Sequence, residues 1–140
     1  MITSRDKREY FESECLSYNY FKKKITECDE RLEVLNVEIN GVSSPGIKEV
    51  VCENARNPYR ERKNILLTEE DEIQKEKNYW KKRVEFVDTK LDKIEDKRIR
   101  NIVTDMYINK MNHEAVAKKY HYSSRTSMYK KINRILDKIL

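Results

Sequence analysis

The side chains best suited to chemistry crowd one stretch near the end of the chain. Between positions 118 and 134 stand Lys118, Lys119, Ser123, Ser124, Arg125, Thr126, Ser127, Lys130, Lys131, Asn133 and Arg134, with no carboxylate among them. Cations, hydroxyls and one amide donate hydrogen bonds and positive charge but supply no carboxylate base or nucleophile activator. They suit the holding of a polyanion better than the conversion of a substrate. Elsewhere the chemistry is thinner. His113 and His121 are the only histidines, and neither has a cysteine or a second histidine at metal-ligand spacing. The run Glu69-Glu70-Asp71-Glu72 lies beside lysines and reads as a solvated helix face. No phosphate-cradling glycine loop, nucleophile elbow or HExxH is present, so the sequence offers no catalytic residue, metal ligand or cofactor site.

The charge pattern sharpens this reading. Residues 1–57 hold 9 Lys/Arg against 11 Asp/Glu, residues 58–96 hold 10 against 11, and residues 97–140 hold 11 against 3. A basic C-terminal part on a near-neutral body is the footprint of a nucleic-acid binder, although lysines that merely face water would give the same count. Three cysteines, Cys15, Cys28 and Cys52, are an odd number without CxxC spacing, which argues against a disulfide framework and for a reducing cytoplasm. The longest uncharged run, Ile39 to Ile47, is nine residues with Gly, Ser and Pro inside it, and no secretory signal opens the chain. Neither a membrane association nor a small-molecule substrate is expected.

The elements that would carry these residues are helices. With 38% hydrophobic and 39% charged residues, and only two glycines and two prolines, the chain cannot build a large core or many strand turns. Tyr18, Phe21, Ile25, Cys28, Leu32, Leu35 and Ile39 alternate by three and four, which predicts a helix from about Arg5 to Ile39, roughly 50 Å long, with one apolar seam. Ile73, Lys77, Trp80, Val84, Val87, Leu91 and Ile94 repeat the pattern in a second helix that Asn57 would cap and Pro58 would begin. Asn40 to Gly46 reads as the connection, and Ile47 to Ala55 as a short helix. The expected fold is all-α: a long antiparallel helical hairpin or coiled coil over 1–95, for oligomerisation or partner binding, and a compact module over 96–140. The nine tyrosines include Tyr10, Tyr18 and Tyr20, which could either fill the seam or meet a partner.

In the module, Ile99, Ile102, Val103, Met106 and Tyr107 share one face of a first helix ending near Asn109. Asn112 caps a second helix, with Met111 placed to staple onto Val116; a turn follows at His121-Tyr122, with Ser123 as the expected cap of the last helix. Met128, Ile132, Ile135, Leu136 and Ile139 form the buried side of that helix, and Thr126, Ser127, Lys130, Asn133 and Arg134 project from the other. Small Ala117 permits a close helix crossing. This is the layout of a helix-turn-helix.

The segments Ile94-Glu95-Asp96-x-Arg98 through Tyr107-Ile108, Glu114-Ala115-Val116-Ala117, His121-Tyr122-Ser123-Ser124-Arg125-Thr126 and Asn133-Arg134-Ile135-Leu136 resemble small phage transcriptional regulators of the RinA and ArpU type, and through them the C-terminal DNA-binding domain of bacterial sigma factors. The resemblance covers about residues 88–140 and departs at one point: the usual first buried position of the recognition helix falls at Ser127, whereas the apolar residue here is Met128. Either the turn is one residue longer or the helix is rotated. The resemblance implies a phage or prophage late-gene activator acting with RNA polymerase. Geometry adds the contacts: Lys130 and Arg134 to guanine edges, Asn133 to adenine, and Thr126 or Ser127 to bases or phosphates. Ser123, Ser124 and Arg125 would position the helix on the backbone, with Lys118, Lys119 and Lys131 as further phosphate contacts. Double-stranded DNA and a second copy of the chain, joined through the N-terminal helices, are the expected partners. A small-terminase-like packaging subunit and a non-DNA adaptor that grips polymerase or sigma factor remain the rival readings.

Overall fold

The computed structural model describes residues 1–42 and 58–140. It is all-α, with no strand among the described residues. Among the described residues six helices follow in order: α1 (Ser4–Leu16), α2 (Tyr18–Val42), α3 (Pro58–Asp92), α4 (Lys97–Val103, continued by one wide π turn, Thr104–Ile108), α5 (His113–Lys119) and α6 (Arg125–Ile139). The expected short helix at Ile47–Ala55, the Asn57 cap and Cys52 lie outside the described residues. No helix among the described residues is long and apolar enough to cross a membrane.

The chain divides into two compact units: residues 1–22 with 82–140, and residues 23–81. The first carries 19 Lys/Arg against 12 Asp/Glu and the second 11 against 13, so the net positive charge belongs to the first.

In the second unit α2 and α3 run antiparallel. Asp29 pairs with Lys77 at 2.5 Å and Arg31 with Glu76 at 2.9 Å, so position falls on one helix as it rises on the other. Cys28, Leu35 and Ile39 bury against Leu66 and Ile73, with Leu32 and Trp80 packed at the margin. The polar interruption of the seam at Lys77 is explained by its pairing: the side chain is mostly buried while its ammonium meets Asp29. α2 continues through Asn40 and Gly41, past the expected end at Ile39.

The first unit corrects two expectations. The helix predicted from Arg5 to Ile39 is interrupted at Ser17, whose φ of −95° and ψ of 1° leave the helical well. α1 is thus a separate helix with its own capping box, Thr3 and Asp6 exchanging hydrogen bonds of 3.0 and 3.1 Å. Nor does the C-terminal core stop at the expected 95/96 boundary. Phe11 and Cys15 of α1, Val87 and Leu91 at the end of α3, and Ile94 just beyond it share one cluster with Ile99, Ile102, Met106, Val116, Met128 and Leu136. A module of short helices alone has too little apolar surface, and α1 with the end of α3 supplies the missing wall. Glu14 is almost fully buried there, held in a fork by Arg83 at 2.9 and 3.3 Å, while that guanidinium also lies 4.3 Å over the Phe21 ring. Burial pushes the Cys15 thiol up to about 12, so this cysteine packs as an apolar side chain.

The turn between α5 and α6 is closed by backbone geometry. His121 takes the left-handed conformation (φ 63°), and its N–H reaches Lys118 O at 3.1 Å while Tyr122 N–H reaches Ala117 O at 2.8 Å. These two bonds are those of a Schellman motif, which favours glycine at the left-handed position. His121→Gly is therefore expected to raise the unfolding free energy by about 1 kcal/mol, measured by urea denaturation.

Candidate nucleic-acid interface

Helix α6 presents two unlike faces because its apolar residues recur at four-residue spacing. Met128, Ile132 and Leu136 are buried, and Tyr129, Ile135 and Ile139 are half-buried at the edges of that stripe. Thr126, Ser127, Lys130, Lys131 and Arg134 are exposed, and Asn133 is half-buried at the margin. Met128 occupies the first inward position, as its apolar character requires, while Ser127 faces out. Lys118 on α5 and Lys130, Lys131 and Arg134 on α6 have no carboxylate partner among the described residues.

One acid interrupts this face. Asp137 lies three residues beyond Arg134, and Arg8 of α1 pairs with it at 2.5 Å. An unpaired carboxylate there would repel an anionic ligand; the guanidinium from α1 cancels it.

The start of α6 is built from hydroxyls. Ser124, in extended conformation (φ −159°, ψ 163°), is the N-cap and accepts the Ser127 N–H at 3.2 Å. This corrects the expected cap at Ser123, which stands one residue outside the helix. The Ser123 and Ser124 hydroxyls each lie 3.2 Å from that of Ser127. Arg125 sits 3.6 Å from Glu114, both groups more than half exposed, so the pair holds the guanidinium only loosely.

Three interactions fix the turn that aims α6. The Arg98 guanidinium donates to Tyr120 O and lies 5.4 Å over the Tyr122 ring. Asp105, in the wide turn after α4, accepts from Tyr120 Oη at 2.7 Å, Lys119 Nζ at 3.0 Å and Asn109 Nδ2 at 3.1 Å. His113 Nδ1 and Tyr129 Oη lie 2.5 Å apart, and Tyr107 packs edge-on to the His113 ring while donating to Glu12 at 3.1 Å. Burial on its own would raise the Asp105 carboxyl, but the hydrogen bonds from Tyr120, Lys119 and Asn109 outweigh it and hold it below the ordinary range. Its partners move the other way, Lys119 and Tyr120 both being raised chiefly by their hydrogen bonds to Asp105.

The structure therefore sorts the residues singled out from sequence. Ser123, Ser124, Arg125, Thr126 and Ser127 gather at the start of α6, and Lys130, Lys131 and Arg134 continue along its exposed side. Lys119 stands apart, its ammonium committed to Asp105. Arg8 and Asp105 were not singled out, and Arg98 was noted only as part of the resemblance, with no role at the turn. Asp105 was legible in principle, as a lone acid inside the apolar run Ile102 to Ile108; Arg8 lies 129 residues from its partner and left no local signal. Among the described residues no group of three His, Cys, Asp or Glu side chains could hold a metal ion.

Residues 42–139 match the family described as protein of unknown function DUF1492, and the chain belongs to that family. No curated protein and no solved structure matches it.

The Asp105 hub carries a pH signature. Because its folded carboxyl titrates below the ordinary value of 3.8, its contribution is complete above that pH and is lost as the pH falls through the lower, folded value. Asp105→Asn is expected to cost about 1–3 kcal/mol at neutral pH and to flatten the fall in stability on acidification. Denaturant titrations across acid pH check both.

Proposed function

We propose that the chain is a sequence-specific DNA-binding regulator of transcription in which α5, the turn and α6 work as a helix-turn-helix, with α6 as the recognition helix. The observation that carries this is the exposed face of α6. Lys130, Lys131 and Arg134 have no carboxylate partner among the described residues and stand on a helix whose other side is locked in a core, and the nearby Asp137 is neutralised by Arg8. A rigid helix with such a face fits the major groove, where a lysine or a forked guanidinium reads guanine and an amide reads adenine.

Lys130 and Arg134 take guanine edges, Asn133 takes adenine at the margin, and Thr126 or Ser127 meets bases or phosphates. Ser123, Ser124, Arg125, Lys118 and Lys131 hold the phosphate backbone. Lys119 acts through Asp105 by fixing the turn. The likeness to phage regulators extends the reading to late-gene activation beside RNA polymerase in a bacterial host cell. A dimer, needed to read a site long enough to be specific, would give a two-fold-related pair of half-sites.

Selection of bound duplexes from a randomised pool tests this directly. A consensus is expected, and on it Arg134→Ala should cost about 1–3 kcal/mol and relax the preference at one position. Lys131→Ala should weaken all duplexes alike and reduce the salt slope by about one. A pool that yields no sequence preference removes the reading.

A further inference from the structure

Between α2 and α3, within residues 23–81, runs a groove of about 900 Å³ that DNA binding leaves unused. Leu35 and Ile73, both buried in the seam, lie at its base, and Val34 stands on its wall with 62% of its surface exposed. Its rims are acidic. Glu30 and Glu38 come from α2, Glu69 and Glu72 from α3; all four are exposed and have no cation partner among the described residues. Two more lining carboxylates are already answered, Glu27 by Lys24 at 3.4 Å and Glu76 by Arg31 at 2.9 Å.

We infer that this groove docks a basic amphipathic helix of a partner protein, whose apolar ridge covers Val34 and the groove base and whose Lys or Arg side chains meet the four unpaired glutamates. The pairing of sign and shape selects this occupant. Folding of the helix pair does not call for four carboxylates without a cation partner among the described residues around an exposed Val34, and Glu69 and Glu72 repel each other at three-residue spacing. A basic helix relieves that repulsion while removing apolar surface from water, the usual helix-in-groove mode. A second copy of the chain would bring the same four glutamates to the contact, and duplex DNA carries the same sign as the rim, so charge disfavours both. The inference is independent of DNA binding by α6, and either can fail without the other.

Calorimetric titration of the full chain with three designed peptides tests it: a helix with leucine on one face and lysine on the rest, a shuffled peptide of identical composition, and the first peptide with glutamate for every lysine. The lysine amphipath is expected to bind at one site, at least about tenfold tighter than the shuffled peptide, and the glutamate version not to compete. Glu69→Lys combined with Glu72→Lys should weaken that binding by at least about tenfold, with helix content by circular dichroism unchanged. Equal binding of amphipath and shuffled peptide overturns the inference, as does equal binding by wild type and double variant. Self-association that Val34→Asp abolishes would also overturn it, giving the face to a second copy.

Discussion

The burial of Met128, Ile132 and Leu136 is the constraint from which the rest of the first unit follows, because a helix that commits one stripe to a core has its opposite face chosen for it. Once that stripe is seated against Ile99, Ile102 and Met106, Lys130 and Arg134 must point outward, and every element around them can be understood as support for that orientation. α1 closes the core with Phe11 and Cys15 and sends Arg8 to Asp137. The wide turn after α4 carries Asp105 to Tyr120 and Lys119, and Arg98 grips the turn from the other end of α4. Buried polar groups of this kind stabilise only when fully satisfied, and Asp105, with three donors, meets that condition.

The division of charge matches the division of packing. The excess of Lys/Arg lies in the unit that contains α6, whereas residues 23–81 are slightly acidic and line one groove with glutamates that have no cation partner among the described residues. A polyanion is attracted to the first and repelled by the second, so the two units are suited to different partners.

How much of this could be read from residue order differs from element to element. The helices of the last part were legible because their signals are local: Asn112 caps α5, accepting at 2.9 and 3.4 Å, Met128 begins the apolar stripe, and the turn lies at His121-Tyr122. The seams of α2 and α3 were legible for the same reason, with Lys77 as an interruption whose partner, Asp29, could not be seen. The break at Ser17 was hidden, since the apolar spacing runs through it undisturbed. The recruitment of α1 into the C-terminal core was hidden too, because Phe11 and Cys15 fit a long seam as well as they fit a separate helix. Of the candidate site, the face of α6 followed from periodicity alone, while the residues that fix its direction act across long stretches of sequence that no spacing rule connects.

The most direct measurement is a residue-by-residue map, by amide chemical-shift perturbation in the full chain, of the surface that meets a short DNA duplex at low salt. The account predicts shifts gathered on residues 118–134 with residues 23–81 unaffected. Shifts centred on the helix pair of residues 23–81, or spread evenly over all exposed lysines, would contradict it.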